Sequence, residues 1–160
     1  MELLVAMDVL PRSTHLEIAC GNREDEMAVE LNHTIIPATD KWRSAKFLAD
    51  ILGLEAGPEW SHFVPVRTSN GVTLDFAEAA EFRRQHYAFL VGEQEFDTAL
   101  SRIKSAGIAY YADFNRDGRG EINHLYGGRG FYFDDPDGHL MEIITRPYGP
   151  TPERWSGTQS

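Results

Sequence analysis

The chain carries one segment order twice, and that repetition limits its fold more than any other feature. An apolar stretch bearing one histidine, Leu31-Asn32-His33-Thr34-Ile35-Ile36, is matched by Gln85-His86-Tyr87-Ala88-Phe89-Leu90-Val91. Each is followed by a helical pattern. The first runs from Lys41 to about Leu52 behind an Asp40 cap, with Trp42, Ala45, Phe47, Leu48 and Ile51 on one side. The second runs from Glu93 to Ala106, with Phe96, Ala99, Leu100 and Ile103. Gly53 and Gly107 close them, 20 positions after His33 and 21 after His86. Further strands follow: Trp60 to Val66 and Val72 to Ala77 in the first half, Ile108 to Ala112, Gly130 to Asp134 and Leu140 to Thr145 in the second. A duplicated βαβββ unit of roughly fifty residues predicts an α+β fold. Its two modules are expected to form one curved mixed sheet, with helices outside.

Module one covers about residues 31–78 and module two about 85–146, in a domain expected over 27–148. Residues 1–26 read as an N-terminal extension, and 149–160 as a flexible tail, with the polar, proline-bearing character beginning at Pro147. A formal charge of −10 argues against nucleic acid and anionic membrane surfaces. Cys20 is the only cysteine, which excludes an internal disulfide and a cysteine-based zinc cluster and fits a cytoplasmic setting. No signal peptide or transmembrane run is expected.

The closing stretch carries the chemistry. Asp135-Pro136-Asp137-Gly138 is a tight turn, since Pro presets φ, Asp bonds locally and Gly accepts positive φ. After it, Leu140, Glu142 and Ile144 share a strand face, because side chains alternate. A carboxylate between two aliphatics is costly to bury unless paired, protonated or bound to a metal. By the same alternation His33 shares a face with Leu31 and Ile35, and His86 with Ala88 and Leu90. A lone histidine on such a face is usually a packed core residue. Equivalent places in a repeat weaken that reading, because pseudo-twofold symmetry brings the two first strands together. Two imidazoles and a carboxylate make a facial set with open positions.

Those residues carry a resemblance. Leu31-Asn32-His33, Gln85 to Phe89, and Phe133 to Glu142 with its Asp-Pro-Asp-Gly turn resemble the vicinal oxygen chelate superfamily: glyoxalases, extradiol dioxygenases, fosfomycin-resistance thiol transferases and bleomycin-resistance proteins. The resemblance covers about Leu31 to Arg146. It implies that His33, His86 and Glu142 bind a divalent metal, with Fe, Mn, Ni, Co and Zn all open. It implies a small-molecule substrate chelated through neighbouring oxygens. It also implies a homodimer in which His33 and the His86/Glu142 pair come from different subunits. Where glyoxalases carry a fourth ligand, a Glu, this chain has Asp75, which either reaches the site or faces solvent.

Four further residues complete the expected site. His124 and Tyr132 are candidates for catalysis, and Arg129 and Asp75 for substrate binding. His124 lies in a glycine-bearing loop and suits acid–base work, or is simply a surface histidine. Arg129 would pair with an anionic substrate, or stand solvated. Tyr132 lies between Phe131 and Phe133, so that strand has one aromatic core face and one phenol-bearing face. His139, at the turn, is expected to be exposed. The leading reading is a glyoxalase-like lyase or isomerase. An extradiol-type dioxygenase is the alternative, followed by a non-catalytic drug- or metabolite-binding protein.

Overall fold

The computed structural model describes residues 29–149. The expected extension 1–26 and the tail from position 150 lie outside them. The elements run β1 (His33–Ala38), α1 (Lys41–Leu52), β2 (Phe63–Arg67), β3 (Thr73–Glu78), β4 (His86–Leu90), α2 (Glu93–Ser105), β5 (Tyr110–Tyr111), a 3-10 turn (Leu125–Gly127), β6 (Gly130–Asp134) and β7 (Leu140–Ile144).

Among the described residues, seven strands form two mixed sheets, ordered β1-β3-β2 and β4-β7-β6-β5. In each, the first strand of the module runs parallel to the last, and the hairpin before the last is antiparallel. The fourth strand of module one shrinks to a single bridge, Ala56 to Val66. Because each parallel pair closes inside its own module, β1 and β4 are both edge strands among the described residues. The edge position explains Pro37. The sequence reads as a strand ended there, yet β1 runs on to Ala38, since an edge proline forfeits no ladder bond.

Alternation divides each sheet into two faces. Ile36, Val64, Val66, Phe76, Phe131, Phe133, Met141 and Ile143 point into one core with the buried sides of α1 and α2. The opposite face carries His33, Asp75, His86, Tyr132 and Glu142. Helix α1 starts where Asp40 Oδ1 accepts from the Arg43 amide at 2.9 Å. It stops at Gly53, φ 73°, where a Cβ would lie 2.8 Å from Arg102 Nη1. That arginine, on α2, donates to Ile51 O, so each helix helps to hold the other.

The Asp-Pro-Asp-Gly turn does more than reverse the chain. Asp137 Oδ1 accepts from the Thr39 amide and hydroxyl and from Arg43, and Oδ2 accepts from the Ser44 hydroxyl at 2.6 Å. The turn of module two thus sits on the N-terminus of α1. Burial pushes the Asp137 pKa up, but the bonds from Ser44 and Thr39 outweigh it and hold it below the usual aspartate range. Asp137→Ala is expected to lower stability at pH 7 by about 3 kcal/mol in urea unfolding. Because the folded pKa is depressed, this contribution is present above the unfolded pKa. It fades as pH falls through the folded value, so the gap between variant and wild type should close in acid.

His139 is a correction. The turn position suggested exposure, yet its side chain is fully buried. Its Nδ1 accepts from the Gln85 amide at 2.9 Å, and its Nε2 donates to Pro37 O at 2.8 Å. Phe82 stacks on the ring and Tyr87 meets its edge. It joins β1 of one module to the entry of β4 in the other. No helix among the described residues is long and apolar enough to cross a membrane.

Candidate metal centre

Strand register builds the centre. Glu142 on β7 lies opposite Ala88 on β4 and Tyr132 on β6, which puts a carboxyl between the His86 strand and a phenol. The repeat preserves this: Asp75 on β3 lies opposite Ile35 on β1, two residues on from His33. Asp75 is therefore the module-one counterpart of Glu142, and it too is buried.

Glu142 is 2 % exposed. Its Oε2 lies 3.1 Å from His86 Nε2, and its Oε1 is buried with no hydrogen-bond partner among the described residues. His86 Nδ1 lies 3.1 Å from Leu140 O, so both ring nitrogens face oxygen acceptors. A neutral imidazole has one ring proton, and the backbone carbonyl fixes it on Nδ1. The Nε2 lone pair then points at a carboxyl oxygen. Only a second proton or a cation makes that contact favourable. His33 follows the same rule: its Nδ1 lies 2.9 Å from Asn32 Oδ1, which frees Nε2. An orphaned buried oxygen beside a presented imidazole nitrogen fits a divalent metal.

The chain brings His86 and Glu142 together. His33 is exposed on the other sheet, and among the described residues no three metal-capable side chains cluster. Tyr132 does stand beside the pair: it lies opposite Glu142 in the ladder, and its ring centroid is 6.1 Å from His86. Burial, then Glu142, pushes its pKa far up, so the hydroxyl keeps its proton and acts as a donor. His124 is exposed at the head of the 3-10 turn, and its ring makes no hydrogen bond to either member of the pair. The Arg129 guanidinium is taken up by α2, at 2.6 Å from both Glu93 and Asp97, and lies over the Phe96 ring.

Two neighbours escaped the sequence reading. Phe114, 54 % exposed, meets His86 edge-on at 5.5 Å and Tyr132 at 6.4 Å. Tyr148 stands beside Glu142 and Tyr132, with burial as the main cause of a pKa pushed up to about 12. Both lie in segments without periodicity. The only signal was an aromatic residue in a polar stretch.

The chain is similar to several known proteins. A solved protein called Oxidase ChaP-H2 is 56% identical, over 77% of this chain and 98% of its own, with a TM-score of 0.75. Oxidase ChaP-H1 is 54% identical, over 77% and 100%, with a TM-score of 0.74. Glutathione transferase FosA of Serratia marcescens is 29% identical over 124 residues, 73% of this chain and 81% of its own. Residues 30–143 match the sequence pattern described as Glyoxalase/Bleomycin resistance protein/Dioxygenase superfamily, and they span both modules from just before β1 to within β7. On that match and this fold, the chain belongs to the glyoxalase/bleomycin resistance/dioxygenase superfamily.

Proposed function

We propose that the chain is a metal-dependent oxidase whose ion is held by His86 and Glu142 of one subunit and His33 of a second. The observation that carries the reading is the paired His86 and Glu142 with an orphaned Glu142 Oε1, in a chain 56% identical to a protein called an oxidase. The lyase reading has weaker support, since the lactoylglutathione lyase from Agrobacterium tumefaciens is 17% identical and argues for fold alone. A bound ion would supply a Lewis-acid centre for two adjacent oxygens of a small substrate. The chain's residues do the rest. Leu140 O orients His86. Tyr132, its phenol held protonated by burial and by the neighbouring Glu142, would offer its hydroxyl as a donor to a substrate oxygen. His124 is the remaining candidate for moving a proton to water.

The two-subunit arrangement is supported by the separation of His33 from the pair and by two strands, β1 and β4, that are sheet edges among the described residues and expose Ile35 and Leu90. Phe114 forms an exposed wall beside the pair, suited to the apolar body of a substrate. Phe114→Ala is expected to raise KM about five- to tenfold with kcat little changed, as loss of one aromatic contact would.

Metal analysis of protein purified without an affinity tag tests the reading, followed by oxygen uptake with catechol as probe. About one redox-active metal per chain is expected on the three-ligand set, with oxygen consumption that a chelator stops. Turnover of the glutathione–methylglyoxal adduct without oxygen uptake would overturn it in favour of a lyase. A second reading, transfer of a thiol, draws on the likeness to glutathione transferase FosA. It predicts glutathione consumption without oxygen.

A further inference from the structure

The segment after β7 brings a residue to the centre that the ligand set leaves unassigned. Beyond Pro147 the chain lays the Tyr148 ring against Tyr126, with centroids 4.7 Å apart. Among the described residues the buried Tyr148 hydroxyl makes no well-formed hydrogen bond, although Glu142, Tyr132 and Asn123 are its polar neighbours. Glu142 Oε1 is buried and equally unpartnered. A donor without an acceptor and an acceptor without a donor thus sit in one cluster, and each unmade bond is costly. The surroundings leave the hydroxyl little freedom. A Cβ at Gly130 would lie 3.0 Å from it and 2.8 Å from Asn123 Oδ1. Asn123 is itself anchored, its amide donating to Ala112 O at 2.8 Å.

We infer that Tyr148 is a positioning residue for Glu142, its hydroxyl donating to the carboxylate when the centre holds its metal. The inference rests on the metal reading above. Tyr132 approaches the carboxyl from the neighbouring strand, and Tyr148 would approach from the C-terminal segment. The carboxylate would then be steered by two phenols, with a lone pair left for the ion. Partners of this kind orient metal ligands, and their loss typically weakens binding about 10- to 100-fold. The first residues beyond Arg146, expected from sequence to open a loose tail, would therefore complete the site.

The test is Co²⁺ affinity, measured by competition with a chromophoric chelator, alongside the unfolding midpoint of the metal-free protein. Tyr148→Phe keeps the ring and its Tyr126 contact and removes only the hydroxyl. It is expected to bind Co²⁺ about tenfold more weakly or worse, with an unchanged midpoint. Gly130→Ala, which crowds the same hydroxyl, should weaken binding in the same direction and add little to Tyr148→Phe. Unchanged Co²⁺ affinity in Tyr148→Phe would overturn the positioning role and leave the metal centre standing. So would a lowered midpoint with unchanged affinity. Wild-type protein that takes up no Co²⁺ would overturn both.

Discussion

Glu142→Gln is expected to reduce metal content from about one equivalent per chain to a trace and to lower turnover about a thousandfold. That is the rate equivalent of the several kcal/mol a Lewis-acid centre supplies. In the metal-free protein the expected effect has the opposite sign. Glu142 is buried with one oxygen unpartnered, so trading a potential charge for a neutral amide should raise stability by about 1 kcal/mol. Added metal would then separate the two proteins: wild type gains about 2.7 kcal/mol at a hundred times Kd, and the variant gains nothing. Urea unfolding with and without Co²⁺ checks both signs. A variant destabilised without metal, and no less responsive to it, would make Glu142 an ordinary packed residue.

Mixing two dead proteins is expected to produce a live one. In the proposed arrangement, His33→Ala and Glu142→Ala would each remove one side of a site that spans subunits. In a mixed dimer one site inherits both lesions and the other inherits neither. Random re-association makes half of the dimers mixed, so activity should return to about a quarter of wild type. The measurement is turnover and metal content after co-refolding equal amounts of the two variants. No recovery, with mixed dimers shown to form, would put His33 in the same subunit as the pair or out of the site. The geometry favours recovery, because among the described residues His33 joins no three-member cluster while His86 and Glu142 already meet.

Much of this was legible in the sequence, for a definite reason. Strand alternation is a local rule, so one residue type every second position fixed the shared face of His33 and Ile35, and that of Leu140, Glu142 and Ile144. The repeat then fixed Asp75 as the counterpart of Glu142. What stayed hidden depends on contacts between distant segments. His139 reads as a turn residue, but its partners, Pro37 O and the Gln85 amide, lie 102 and 54 positions away. Asp137 looked like a turn former, and its strongest bonds reach Thr39 and Ser44 in the other module. Arg129 looked free to meet an anion, but no spacing rule brings it to Glu93 and Asp97. Tyr148 follows a proline in a polar stretch, and only the fold returns its hydroxyl to Glu142.

The closing hairpin concentrates two dependencies within a few residues. Asp137 fastens the modules together, His139 buttresses their junction, and Glu142 sits three positions further on. A library of substitutions scored only by growth or turnover would return this stretch as one uniformly intolerant block. Scored also by the amount of folded protein in the cell, the block should split. Changes at Asp137 and His139 would deplete abundance, whereas changes at Glu142 would spare or raise it while abolishing activity. This hairpin is therefore a place where inherited variants with the same outward defect would call for opposite remedies: a folding aid for the first group, and nothing short of restoring the carboxylate for the second.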